Sequence, residues 1–234
     1  MTYQKMGSLR WAFFSLFLVI VLALTAIPGG AALAASEHLG VYAGGHETAG
    51  MGSSVAYTYS VELKADDTYE LKSYFVMGDA LYEFVEVGSY VIEGSKLVIT
   101  PQGEEALEGS VNSDGTITIE VKPSQMARSR TEATLTPSQN TAAGVYQATL
   151  QGAATVEVTL YLNHQGQYAY MAVPSSDSPA VHEQGMYSVN GTEITFQIAQ
   201  SGETVSGTIQ DGKVSAPFVV SAMMGMRMEI ELAK

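Results

Sequence analysis

Apolar and polar residues alternate with a period of two through most of the chain beyond residue 36. Val55, Tyr57, Tyr59, Val61 and Leu63 alternate with Ala56, Thr58, Ser60, Glu62 and Lys64, and Val156, Val158, Leu160 and Leu162 alternate with Glu157, Thr159 and Tyr161. Successive side chains of a strand leave on opposite faces, so each run describes a strand with one buried face. Asp66-Asp67, Glu93-Gly94-Ser95, Ser113-Asp114-Gly115, Asn190-Gly191 and Asp211-Gly212 punctuate the runs with residues that accept the positive φ of tight hairpins. The spacing predicts about eight short strands in each half of this stretch, and no convincing amphipathic helix. Connections this short place sequence neighbours side by side, which gives an antiparallel meander. A meander with one apolar face buries that face, and loses its edges, by closing on itself, so each half is expected to be a small up-and-down barrel.

The two halves read as copies of one unit. Gly40-Val41-Tyr42 recurs as Gly144-Val145-Tyr146, and Gly88-x-Tyr90-x-x-x-Gly94 recurs as Gly185-x-Tyr187-x-x-x-Gly191. The turn that ends in Tyr69 recurs as the one that ends in Tyr168, and Gly109 pairs with Gly207. Ser124-x-Met126-x-x-x-Arg130-x-Glu132-x-x-Leu135 matches Ser221-x-Met223-x-x-x-Arg227-x-Glu229-x-x-Leu232. An offset that drifts from 104 residues to 97 indicates duplicated domains, residues 36–138 and 139–234, rather than a short-repeat solenoid. The drift also gives the first copy extra residues, placed in the glycine-rich segment Gly44 to Ser54 and read as a loop across the open end of the first barrel.

The start of the chain changes the setting. Lys5 and Arg10 precede the seventeen uncharged residues Trp11 to Ile27, followed by Pro28-Gly29-Gly30 and the small-x-small site Ala32-Leu33-Ala34. This is the pattern of a secretory signal peptide over residues 1–35, with a retained anchor as the alternative because the apolar run approaches the ~20 residues that span a bilayer. The expected location is therefore extracytoplasmic, secreted or in the cell envelope, by bacterial-type export. Beyond residue 35 the chain holds 24 acidic against nine basic residues, a net charge of −15. It lacks the clustered Lys and Arg that a phosphate backbone requires, which argues against nucleic acid as a partner. The absence of cysteine excludes disulfides, thiolate metal sites and a lipid-modified cysteine.

A Gly-x-aromatic on the first strand together with an arginine on the last resembles the lipocalin-like, or calycin, superfamily. The matching positions are Gly40, Tyr42 and Arg130 in the first copy and Gly144, Tyr146 and Arg227 in the second. The resemblance implies that the arginine covers the ring and seals one barrel end, a cation–π contact of about 0.5–2 kcal/mol. Tyrosine stands where that superfamily has tryptophan. The Gly-x-Tyr opening and the turn into a Thr-Tyr strand also look like the small N-terminal barrel of bacterial copper-homeostasis envelope lipoproteins. The cysteines of those proteins are missing here, which removes any thiol-based copper or redox role.

Candidate chemistry is sparse. Met224, Met226, Met228, Ile230 and Leu232 share one face of an expected strand and read as core filler, with Cu(I) ligation by thioethers as the alternative. The equivalent face of the first copy, Ala127, Ser129, Thr131, Ala133 and Leu135, is smaller. That predicts an emptier first barrel, able to take a small apolar or amphiphilic ligand against Tyr57, Tyr59, Tyr69, Ser129 and Thr131. His46 and Met51, with His38 nearby, are the soft donors of the extra segment, and their glycine-rich setting favours a solvated loop over a copper site. His164 and His182 read as surface residues. Asp66-Asp67 and Glu104-Glu105 lack the ligand loop of a calcium site. The sequence contains no Gly-x-Ser-x-Gly, His-Glu-x-x-His or phosphate-binding glycine loop, and Arg130-x-Glu132 and Arg227-x-Glu229 read as structural ion pairs. The expectation is a non-enzymatic binding module without a cofactor, whose partner is a small hydrophobic ligand or an envelope protein. A module of filled barrels serving structure or protein interaction is the alternative. Membrane contact is expected only through an uncleaved signal segment.

Overall fold

A computed structural model describes residues 38–234 apart from 51–52, 79, 153 and 223–224, so the export segment lies outside the described residues. Strands β1 (Gly40–Gly50), β2 (Ser53–Leu63), β3 (Thr68–Met77), β4 (Ala80–Glu93), β5 (Lys96–Pro101), β6 (Leu107–Val111), β7 (Ile117–Val121) and β8 (Thr131–Ser138) pair in sequence order into a closed barrel. Strands β9 (Gly144–Leu150), β10 (Val156–Leu162), β11 (Gln167–Pro174), β12 (Val181–Asn190), β13 (Glu193–Ile198), β14 (Thr204–Gln210), β15 (Lys213–Val219) and β16 (Arg227–Ala233) form the second. Neighbouring strands run antiparallel, and no helix occurs among the described residues. The fold is thus the expected pair of tandem eight-stranded barrels. The end of the first barrel at which β1 turns into β2 is called its upper end here, and the corresponding end of the second barrel is named likewise.

Alternation decides what fills each barrel. Inward positions of the first carry Tyr42, Tyr59, Val61, Leu71, Tyr90, Leu97, Ile119 and Leu135, and those of the second carry Tyr146, Leu160, Tyr170, Phe196, Phe218 and Leu232, all buried. An eight-stranded barrel is just wide enough for side chains to fill, and large residues fill both of these. In the second, Tyr170 stacks on Phe218 with ring centroids 4.4 Å apart, and Phe196 meets Phe218 edge-on at 5.3 Å. The recurring tyrosines bury their rings and send their hydroxyls to the lower-end turns. Tyr42 donates to the His38 carbonyl oxygen at 3.0 Å and Tyr146 to that of Ala142 at 2.7 Å. Tyr90 donates to the Lys64 carbonyl oxygen at 2.9 Å, and Tyr187 to that of Asn163 at 2.7 Å.

The repeated glycines Gly88 and Gly185 mark the corners of the barrels. A Cβ at Gly88 would collide with the Thr100 carbonyl oxygen, and one at Gly185 with that of Gln197. The neighbouring strand approaches so closely there that only hydrogen fits, a use of glycine expected where a barrel closes.

One expectation is overturned: Gly44 to Ser54 is not a loop. β1 and β2 pair without interruption from Gly40↔Leu63 to Gly50↔Ser53, so the extra residues lengthen a hairpin. β3 and β4 are also long, pairing up to Met77↔Ala80. Glycine content suggested a loop, but cross-strand pairing with a β-branched and aromatic partner strand outweighed it.

The barrels pack side by side. Tyr161, on the outer face of β10, meets Tyr74 of β3 with ring centroids 4.6 Å apart, and its hydroxyl lies 2.6 Å from Thr58 Oγ1. Ser138 Oγ lies 3.0 Å from His164 Nδ1, and the Asn140 amide donates to the Tyr187 hydroxyl at 2.7 Å, which pins the connecting segment.

Candidate functional site

The upper end of the first barrel differs most from its counterpart. In the register of β1 to β4, His46, Tyr57, Phe75 and Tyr82 form one row of rings on the inward face of the two long hairpins. His46 stacks on Tyr57 at 5.2 Å and on Tyr59 at 5.5 Å, Tyr57 tilts against Phe75 at 5.0 Å, and Phe75 stacks on Tyr82 at 4.9 Å. The rings spend their faces on one another, so the row stiffens the hairpins and offers partners mainly its edges. Tyr82 ends the row, 39% exposed, and Val76, Met77, Val85 and Val87 stand exposed nearby on the same hairpin.

Below the row lies an ionic clamp. Arg130, just before β8, donates to Glu86 Oε2 at 2.6 Å and to Glu104 Oε2 at 2.7 Å, and Tyr69 donates to Glu86 Oε1 at 2.8 Å. The second barrel repeats the two ion pairs, with Arg227 3.1 Å from Glu183 and 3.0 Å from Glu203, but the Tyr168 hydroxyl, the counterpart of that of Tyr69, is buried without a hydrogen bond. Arg130 holds the Glu104 carboxyl below its ordinary range, through a hydrogen bond first and its charge second.

This corrects the expected barrel closure, because neither Arg130 nor Arg227 covers the ring of Tyr42 or Tyr146. Tyr42 pairs with Pro137 at the lower end of β8, seven residues from Arg130, or roughly 20 Å along a strand. The arginines close the upper ends, through carboxylates. The cation beside Tyr146 is Lys234, whose Nζ lies 5.8 Å from the ring centroid and donates to the Ala143 carbonyl oxygen at 2.6 Å.

The seam between β1 and β8 is the third feature. It is zipped by three residue pairs, Val41↔Ser138, Tyr42↔Pro137 and Ala43↔Thr136, beyond which the ladder stops although Gly44 still lies against Thr134 and Leu135 of β8. Beside the gap lies a cleft of about 690 Å³, with Gly45, His46 and Tyr57 on one side, Thr134 and Thr136 on another, and His164, Gln167 and Met186 of the second barrel opposite. His46 Nδ1 lies 2.6 Å from the Tyr59 hydroxyl, while its Nε2 is buried without a partner. Burial lowers the pKa of His46, and burial followed by the charge of Lys234 lowers that of His164.

The expected ligand-lining residues do not converge. Tyr59 and Tyr69 belong to the core, with hydroxyls committed to His46 and Glu86. Tyr57 is in the ring row, Ser129 lies exposed in the β7–β8 connection, and Thr131 opens β8. β8 starts at Thr131, so only Ala133 and Leu135 of the small-residue face enter the core. Met226 and Met228 are 65% and 50% exposed at the upper rim of the second barrel, not core filler, while Ile230 and Leu232 are buried. β16 begins only at Arg227, which leaves the methionines at its open end, and Met51, Met223 and Met224 lie outside the described residues. His164 is half-buried between the barrels rather than on the open surface. The clamp acids escaped the sequence reading although Glu86-x-Gly88 and Glu183-x-Gly185 repeat beside glycines already matched.

No protein-family model matches the chain, and no curated protein matches it significantly. Solved structures that resemble it include two at low identity. One is the Cpx pathway activator NlpE from Escherichia coli, at 10% identity over 82% of this chain and 90% of that one, with a TM-score of 0.25. The other is a porin-like protein from Bacteroides uniformis, at 10% identity over 83% and 95%, with a TM-score of 0.28.

Proposed function

We propose that the protein is a non-enzymatic, extracytoplasmic interaction module of the cell envelope, in which two filled barrels act as rigid frames and binding takes place on the outside. The carrying observation is the contrast between interiors packed with tyrosine, phenylalanine and leucine and an upper hairpin pair that projects exposed apolar residues beside an open cleft. The apolar run and Ala32-Leu33-Ala34 site support export. The net charge of −15 beyond residue 35 points away from nucleic acid and suits a soluble body that repels like-charged neighbours. A ligand inside the first barrel would have to displace Tyr59 and Leu71, which are almost wholly buried.

A photocrosslinker scan in intact cells tests this reading. Placed at Tyr82, Val85 or Met186, the crosslinker is expected to give discrete adducts with one envelope component. At Lys213 or Glu231, on the outer wall of the second barrel, it is expected to give none. Equal labelling from both walls, or none from either, would defeat the proposal.

A further inference from the structure

We infer that the open seam of the first barrel is a strand acceptor: an extended, lysine- or arginine-bearing segment of a partner protein pairs with the free edge of β1. This rests on the exterior-binding reading and specifies the kind of partner. β1 is paired with β2 along all eleven of its residues but with β8 over only Val41 to Ala43. Pro137 has no N–H, so Tyr42↔Pro137 is the non-hydrogen-bonded pair and Val41 and Ala43 are the residues bonding across the seam. The same parity continues upward, which turns the N–H and C=O groups of Gly45, Glu47 and Ala49 toward the gap.

This edge carries no proline or lysine to block pairing, devices that sheet proteins use on edges left bare. It is also recessed. His164, Gln167 and Met186 of the second barrel line the same 690 Å³ cleft as Gly45, His46 and Glu47, so a segment that reaches the edge lies between the two barrels. Glu47 stands exposed on the outward face beside the edge, in a chain of net charge −15 beyond residue 35, while His46 and Tyr57 lie on the inward face. A strand that alternates basic and apolar residues matches both faces, with specificity set by alternate side chains and affinity by main-chain bonds. The buried, unpartnered Nε2 of His46 at the cleft supplies one more polar group for such a segment.

The test uses the protein expressed with its own leader and purified, and a fluorescent, end-capped seven-residue peptide alternating lysine and valine. The expected results are saturable binding by anisotropy and at least tenfold slower amide exchange at Gly45, Glu47 and Ala49. Two N-methylated versions of the peptide, blocked at the lysines or at the valines, should differ at least tenfold in affinity, since only one pattern removes the pairing edge. Glu47→Pro, which an edge strand tolerates, should weaken binding at least tenfold while the circular dichroism spectrum stays unchanged. No binding at millimolar peptide, equal binding of both N-methylated peptides, or unaltered exchange at the three amides would overturn the inference. Crosslinks from Tyr82 without peptide binding would leave the exterior-binding reading standing and remove the strand acceptor.

Discussion

Replacing Arg130 with methionine removes the cation of the first clamp and keeps most of the side chain's apolar volume. Glu86 is 8% exposed and the Arg130 side chain 13%, so the substitution leaves a carboxylate buried with only the Tyr69 hydroxyl to solvate it. Breaking a buried pair from one side costs about 3–5 kcal/mol, and the residual bond from Tyr69 places Arg130→Met near the lower figure, about 3 kcal/mol. For a domain of this size each kcal/mol lowers Tm by roughly 4–8 °C, so the first barrel should melt at least ~10 °C earlier. Glu104, the exposed partner, contributes much less, and Glu104→Gln should move Tm only slightly. Adding Glu86→Gln to Arg130→Met should recover part of the loss, because a neutral amide still accepts from Tyr69 and no longer needs a counter-charge. Thermal and urea melts followed by circular dichroism read all four proteins, with Arg227→Met marking the second barrel's transition. A loss below ~1 kcal/mol in Arg130→Met, or a double variant less stable than the single one, would refute the clamp as the element that closes the upper end.

Gly88→Ala and Gly185→Ala should each destabilise by about 1–3 kcal/mol in urea titrations, because the added methyl meets a neighbouring strand's carbonyl oxygen. His46 and His164 have folded-state pKa values below the ordinary 6.5, so as pH falls the unfolded chain takes up protons first. Their contribution is therefore intact above about pH 6.5 and lost progressively below it, and His46→Gln with His164→Gln should flatten stability measured between pH 7 and 5. Tyr161→Ala removes the ring contact to Tyr74 and the bond to Thr58, and should leave both barrels folded but tumbling more independently in NMR relaxation.

Strand count, antiparallel order and duplication were legible because they depend on local alternation and turn residues, which the sequence carries openly. Asp67, Gly94, Gly191 and Asp211, all in the expected turns, adopt positive φ. The extra segment misled because glycine content predicts a loop only where no partner strand competes, and Ser53 to Leu63 competes residue for residue. The expected ring–arginine contact failed on direction. The motif gives residues on the first and last strands, but not which end of an antiparallel pair each occupies, and Arg130 and Tyr42 occupy opposite ends. The methionines alternate as a buried strand would, yet Met226 and Met228 reach past the packed interior, and periodicity does not reveal where a barrel's filling stops. The seam and the cleft depend on how far β1 and β8 stay paired and on where the second barrel packs, neither of which alternation encodes.

The central claim is that the barrels are filled and that binding happens outside them. It is tested most directly by NMR of a protein with labelled tyrosine rings in the presence of a soluble paramagnetic probe, followed by titration with a medium-chain fatty acid. The account predicts that Tyr82 broadens with the probe, that Tyr59, Tyr69 and Tyr90 are untouched by it, and that the fatty acid shifts none of those three interior rings. Saturable fatty-acid shifts at Tyr59, Tyr69 and Tyr90 would show a ligand entering the first barrel and would contradict the account.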